Sequence, residues 1–170
     1  MKIAVFGSAF NPPSLGHKSV IESLSHFDRI LLLPSIAHAW GKEMLDYALR
    51  TQLVDAFIVD LNMTNVERCT IEEILLDRAQ SSVTTYAVLE ALQVENPTAE
   101  LTFVIGPDNF FNFAKFHNAQ EIVRRWSVMA CPEKVKIRST DIRTLLADGQ
   151  KINHLTTPNV CAMLVENNYY

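Results

Sequence analysis

The sequence has 170 residues, 48% of them hydrophobic and 20% charged, with a formal net charge of −4. That length suits one domain of the commonest size (residues 1–170), and the ordinary composition excludes disorder and fibrous repeats. The mild acidity excludes a general nucleic-acid binder, which would present a basic face, but leaves room for an anionic ligand held by a few local cations.

Lys2 to Phe6 (KIAVF) is a short, β-rich apolar run ending at Gly7, which predicts a buried strand. A loop with two prolines follows, then a helix from about Leu15 to His26 with Val20, Ile21, Leu24 and Phe27 on one side. Arg29 to Leu33 (RILLL) predicts a second strand, stopped by Pro34. Leu45, Leu49, Leu53 and Phe57 recur every four residues and mark an amphipathic helix. A weaker strand is expected near Val66 to Thr70, then a helix through Tyr86, Leu89 and Leu92 that ends before Pro97. Leu101 to Ile105 (LTFVI) predicts a fourth strand, closed by Gly106. A helical stretch around Glu121 to Trp126 leads into a fifth strand, Ser127 to Cys131. Helices over Thr140 to Ala147 and Asn159 to Asn167 complete the pattern.

Strands and helices alternate, and the strands are apolar throughout rather than on every second residue. That predicts a three-layer α/β fold, a parallel sheet of about five strands with helices on both faces. Ligands of such sheets bind outside the carboxyl ends of the strands, so the loops after Phe6, Leu33, Ile105 and Cys131 are the places to search. Cys69, Cys131 and Cys161 are odd in number and form no CxxC pair, which points to a reducing compartment without disulfides or a zinc site. No signal-like segment opens the sequence, and no apolar run approaches the roughly 18 residues of a membrane span. A cytoplasmic protein, with no metal site and no membrane or nucleic-acid partner, is therefore expected. Glycine is scarce: Gly7, Gly16, Gly41, Gly106 and Gly149 are all there are, so each is expected where a side chain cannot go.

The first loop, Gly7 to Ser19 (GSAFNPPSLGHKS), matches neither GxGxxG nor the P-loop. Pro12 and Pro13 delay the helix and Ser14 is a natural N-cap, which brings the side chain of His17 over the first turn. His17 and Lys18 then stand where the helix dipole favours acids, an arrangement that makes sense if a phosphate lies there. The second segment is Ile137 to Arg143 (IRSTDIR), where Ser139 or Thr140 caps another helix and Arg143 places a cation in its first turn. Two helix starts with the same electrostatic oddity suggest one polyanion between them, and a triphosphate fits. The bland alternative is a pair of capped helices with solvated basic residues.

These two segments, GSAFNPPSLGH and IRSTDIR, resemble the terminal motifs of nucleotidyltransferases with a Rossmann-like fold. Within that superfamily the sequence looks like the nicotinate/nicotinamide mononucleotide adenylyltransferases. GPD (Gly106 to Asp108) resembles their Gly-x-Asp. HAWGKEML with Arg50 beyond it resembles their Gly-Lys segment and helix arginine, SSVTTYAVLEAL their Ser-x-Thr helix start, and the tail their closing Pro, Val and terminal Tyr. The resemblance implies in-line attack by a pyridine mononucleotide phosphate on the α-phosphate of ATP, with Mg²⁺ accompanying ATP and pyrophosphate released. By the same resemblance, His17 stabilises the α-phosphate, assisted by Ser14. Ser139, Thr140 and Arg143, with Ile137 beside them, hold the β- and γ-phosphates. Backbone at Gly7, Ser8, Phe10, Gly16 and Gly106 approaches the nucleotide. Asp108 accepts ribose hydroxyls, Lys42 meets the mononucleotide phosphate, Thr84 contributes on that side, and Phe116 stands where the family stacks an aromatic on the pyridine.

Ser14 replaces the first His of the family's His-x-Gly-His, as Thr does in phosphopantetheine adenylyltransferases. Arg138 replaces a Ser and either adds a phosphate contact or faces water. Gly149 reads as an ordinary helix C-terminal cap. Another phosphate acceptor such as phosphopantetheine, or a nucleotide-binding regulatory module without catalysis, remains the alternative. The choice between acid and amide pyridine and a homo-oligomeric state both stay open.

Overall fold

Apolar residues that point to both sides of a strand demand cover on both faces, and the fold supplies it. The computed structural model describes residues 1–37, 43–79, 83–132 and 134–170. Its strands are β1 (Lys2–Ser8), β2 (Arg29–Pro34), β3 (Val66–Arg68), β4 (Glu100–Ile105) and β5 (Ser127–Ala130). They form one five-stranded sheet in the order β3-β2-β1-β4-β5, and every pair is parallel. The helices are α1 (Leu15–Glu22), α2 (Tyr47–Leu61), α3 (Ile71–Ala79), α4 (Thr85–Glu95), α5 (Pro107–Asn112), α6 (Ala119–Arg125), α7 (Ser139–Ala147) and α8 (Pro158–Asn167), with a 3₁₀ turn at Phe113–Lys115.

Alternation along β1 sorts the two cores. Ala4 and Phe6 point to one face, where Ile21, Leu53, Phe57, Ile142, Val160 and Leu164 bring in α1, α2, α7 and α8. Ile3 and Val5 point to the other, where Ile71, Val88, Leu89, Leu92 and Ile122 bring in α3, α4 and α6. This is the three-layer arrangement expected of continuous apolar strands.

Several boundaries differ from expectation for local reasons. The first helix stops at Glu22 because the chain tightens into turns, Leu24 N–H to Ile21 O and Phe27 N–H to Leu24 O, that still bury Leu24 and Phe27. The third strand ends at Arg68, which leaves Cys69 and Thr70 to lead into α3. Helix α3 is an addition: of its described apolar residues only Ile71 is fully buried, so its periodicity is faint. Helix α5 is likewise new, starting at Pro107 behind Gly106. Gly149 caps α7 as expected, with φ of +69° and the paired bonds Gly149 N–H to Leu146 O and Gln150 N–H to Leu145 O that close a Schellman turn. No described helix is long and apolar enough to cross a membrane.

Candidate active site

The chain leaves β1 towards β2 on one side and later returns to β4 on the other, so the loops after β1 and β4 diverge and open a crevice. A cleft of about 870 Å³ occupies it, lined from the ends of β1, β2 and β4 and the starts of α1, α4 and α7.

The loop from Phe10 to Ser14 runs behind the cleft, reaches it at Ser14, and is buried. A buried loop must pair its carbonyls, and prolines offer no N–H to share the task. Three consecutive carbonyls are met from the far end of the chain. Asn11 O accepts from Arg143 Nη1 at 2.6 Å, Pro12 O from Ser139 Oγ at 2.6 Å, and Pro13 O from Thr156 Oγ1 at 2.8 Å. Gly16 explains itself in the same way. A Cβ there would lie 2.2 Å from Ile137 O, so helix α1 and the segment before α7 approach too closely for any side chain.

Ser14 caps α1, its Oγ accepting from His17 N–H at 3.3 Å, while its own backbone N–H donates to His17 Nδ1 at 3.0 Å. With Nδ1 committed as an acceptor, the neutral ring carries its proton on Nε2, 3.0 Å from Ser8 Oγ. The ring lies over Phe10, centroids 4.7 Å apart, and Phe10 is held under it by a backbone turn with φ of 46°, rare for a bulky residue. This burial lowers the His17 pKa to about 4. The cation expected at the start of α1 is therefore a neutral, oriented N–H donor at pH 7. Ser14 is only 1% exposed, and its Oγ also reaches Ile137 O at 3.3 Å, so it positions His17 and joins the two segments.

The start of α7 also corrects the sequence reading. Arg138, not Ser139 or Thr140, holds the N-cap position, and Asp141 satisfies local preference by accepting the Arg138 N–H at 2.9 Å. Arg143 consequently lies in the second turn, where it bonds Asn11 O and Thr140 Oγ1 at 3.2 Å and faces a separate hollow beside Tyr169 and Tyr170. Of the expected site residues, Gly7, Ser8, Ser14, Gly16, His17, Thr84, Gly106, Asp108, Phe116, Ile137, Ser139 and Thr140 all line the cleft. Phe10 and Arg143 do not; one supports the site from below and the other from behind. Gly41 and Lys42 lie outside the described residues. A Cβ on Gly106 would meet nothing within 4 Å, so the backbone there is open to close approach, whereas Gly7 has only ordinary contacts.

Thr84 caps α4 by accepting Ala87 N–H at 3.2 Å. Phe116 packs edge-on to Phe103, centroids 6.3 Å apart. Asp108 and Arg138 form an ion pair of 2.8 Å between the loop after β4 and the start of α7. Arg50, the match to the family's helix arginine, is 1% exposed, its guanidinium donating to the carbonyls of Leu45, Ala9, Ser35 and Ile36 at 2.7–3.0 Å. Among the cleft residues the sequence reading missed, one is an acid. Glu72 in α3 lines the end beside Ser35 and Thr84 at 7% exposure, and burial pushes its carboxyl up to about 7 against the pull of the Ile36 N–H and Arg50. An acid in a helix first turn is so common on surfaces that its sequence carries no signal.

Comparison with known proteins places this geometry. The cytidylyltransferase-like family profile matches residues 5–145, from β1 into α7. The chain belongs to the cytidylyltransferase-like family. A solved structure from Vibrio parahaemolyticus, provisionally assigned as a nicotinate-nucleotide adenylyltransferase, is 60% identical, with a TM-score of 0.87 over 97% of this chain and 92% of its own. A curated relative from Chlorobium phaeobacteroides with the same provisional assignment is 24% identical over the full length of both chains. The fold is shared further with the nicotinic acid mononucleotide adenylyltransferase of Plasmodium falciparum, solved with NaAD: 15% identity and a TM-score of 0.76 over 98% of this chain. Its cleft lies at the strand-order switch point between β1 and β4, where open α/β sheets bind ligands.

Proposed function

We infer that the chain transfers the AMP moiety of ATP to nicotinate or nicotinamide mononucleotide, forming the dinucleotide of NAD biosynthesis and releasing pyrophosphate. The observation that carries this reading is the 60% identity to the Vibrio relative across 97% of the chain. A mononucleotide phosphate oxygen forms the new bond to Pα as the bond from Pα to the bridging oxygen of pyrophosphate breaks. Such a reaction gains mainly from alignment and from donors aimed at the transferring group.

His17 Nε2–H donates to a non-bridging α-phosphate oxygen, exchanging Ser8 Oγ for the ligand. The Ser14 N–H on Nδ1 keeps the proton on the correct nitrogen. The first turn of α7 offers Ser139 and Thr140 to the β- and γ-phosphates, with Arg143 acting behind it as a positioning residue through Asn11 O. Gly106 admits the ribose, Asp108 accepts from its hydroxyls, Phe116 presents a ring to the pyridine, and Lys42 is assigned to the mononucleotide phosphate.

Among the described residues no group of three or more His, Cys, Asp or Glu side chains could hold a metal ion. Mg²⁺ therefore fits as an ion carried on triphosphate oxygens and water, where it offsets phosphate charge. The test is a pyrophosphate-release assay with ATP and a panel of phosphate acceptors, the two pyridine mononucleotides and phosphopantetheine among them. Turnover with a pyridine mononucleotide is expected; ATP binding without turnover on any acceptor overturns the reading.

A further inference from the structure

The cleft has two unlike ends. One lies at His17, Ile137, Ser139 and Thr140, and the adenylyl reading puts the triphosphate there. The other is walled by Leu33, Leu76, Val83, Val88, Phe103 and Phe116, a lining suited to a flat ring. Into that apolar end the fold places a carboxyl, Glu72 of α3. We propose that Glu72 is a specificity-determining residue that reads the pyridine substituent of the acceptor: protonated, it donates to the carboxylate of nicotinate mononucleotide, and ionised, it accepts from the amide N–H of nicotinamide mononucleotide. This inference rests on the adenylyl-transfer reading.

The surroundings of Glu72 hold it in place without neutralising it. One carboxyl oxygen accepts the Ile36 N–H at a long 3.4 Å. On the other side of the same residue, Arg50 grips the Ile36 carbonyl at 3.0 Å and the Ser35 carbonyl at 2.7 Å, so the backbone against which Glu72 rests is fixed. The Arg50 donors are directed at four carbonyls, and among the described residues no ion pair joins Arg50 to Glu72. Among the described residues, the other titratable groups around Glu72 are Tyr47 of α2, Cys69 just after β3, and Glu73 in its own helix, which lies 4.0 Å from Arg68. Across the cleft stand Asp108, Lys115 and His117. A carboxyl buried in this apolar setting, titrating near 7, changes state within the neutral range, whereas His17 at about 4 does not.

The two states have opposite consequences for the two substrates. An ionised Glu72 repels the nicotinate carboxylate and welcomes an amide donor; a protonated Glu72 donates to the carboxylate and offers the amide only a weaker, neutral acceptor. Discrimination of this kind rests on leaving a buried polar group unpaired or unlike-paired with the wrong substrate. If Glu72 instead only pins the loop at Ile36, substitution changes both acceptors alike.

The measurement is the ratio of kcat/KM for the amide and acid mononucleotides across pH 6–8, with Kd for each mononucleotide by calorimetry over the same range. ATP, His17 and the acceptor phosphate contribute equally to both substrates and cancel in the ratio. Between pH 6 and 8 a group titrating near 7 passes from about nine-tenths protonated to about nine-tenths ionised, so the ratio should rise about tenfold or more towards the amide. In Glu72→Gln the ratio should be flat, with the thermal midpoint checked to show an intact fold. Turnover with a flat wild-type ratio, or a swing that survives in Glu72→Gln, overturns the role of Glu72 alone. A pH-dependent Kd ratio without turnover supports Glu72 and overturns adenylyl transfer; failure of both mononucleotides to bind overturns both.

Discussion

Replacing Gly16 by Ala tests the junction on which the site depends. The added Cβ would stand 2.2 Å from Ile137 O, and the obstacle is backbone rather than the end of a mobile side chain. Ordinary contact requires a separation greater by about 1 Å, which must come from moving α1 or the segment before α7. That segment is tied down: Ile137 N–H bonds Val135 O at 2.9 Å, and Ser139 Oγ bonds Pro12 O at 2.6 Å. Overpacking of this kind costs about 1–3 kcal/mol, and the Ser14 Oγ to Ile137 O bond, about 1 kcal/mol, goes with it. The better helix propensity of Ala returns at most about 1 kcal/mol, leaving a net loss of about 1–3 kcal/mol. For a chain of this size that lowers Tm by roughly 3–10 °C in a thermal melt. A shift of about 1 Å between His17 and the α7 start should also lower kcat/KM for ATP by about a hundredfold. Gly106→Ala is the control: it meets nothing within 4 Å, so its Tm should stay put while its ATP KM rises. A Gly16→Ala protein with unchanged Tm and unchanged kcat/KM would refute the close approach.

Four further outcomes follow from the same geometry. His17→Ala should lower kcat about 10²–10³-fold in the pyrophosphate assay, the usual loss for one oriented donor on a developing charge. Because folded His17 titrates near 4 against 6.5 in the unfolded chain, the unfolded state takes up the extra proton first; stability should fall as pH drops from about 6.5 towards 4, and urea melts of His17→Gln should lack that slope. Glu72 has the opposite sign: its folded value near 7 lies above the ordinary 4.5, so its contribution is complete below about 4.5 and lost as pH rises through 7, and Glu72→Gln should gain stability over the wild type at pH 8 in the same melts. Arg50→Met strands four carbonyls and should cost about 3 kcal/mol or more by urea denaturation; near-wild-type stability would mean those carbonyls find other partners.

The fold was legible where burial is two-sided. β1, β2 and β4 read as unbroken apolar runs because helices cover both their faces, whereas β3 at one edge and the lightly buried α3 leave weak patterns. Local chemistry was legible too: Ser14 and His17 stand three residues apart, and a capping arrangement follows from spacing alone. What spacing cannot carry is contact across the chain. Nothing near Gly16 announces that Ile137 will occupy its side-chain space, and nothing near Arg50 says that its charge will be buried against four carbonyls rather than offered to a phosphate. Arg143 shows how little displacement matters at a boundary. With the helix cap at Arg138, a cation expected in the first turn becomes a brace in the second.

The carbonyls of Asn11, Pro12 and Pro13 also set a timetable for the molecule. All five strands are complete once Ala130 has been made, yet the partner of Pro13 arrives with Thr156, 143 residues after it. At ribosomal speeds of about 5–20 residues per second, the loop waits roughly 7–30 s for that partner. A nascent chain can therefore own its whole sheet and still lack the finished loop behind the cleft. Competence arrives late and as a unit, when the last quarter of the chain folds back over its beginning.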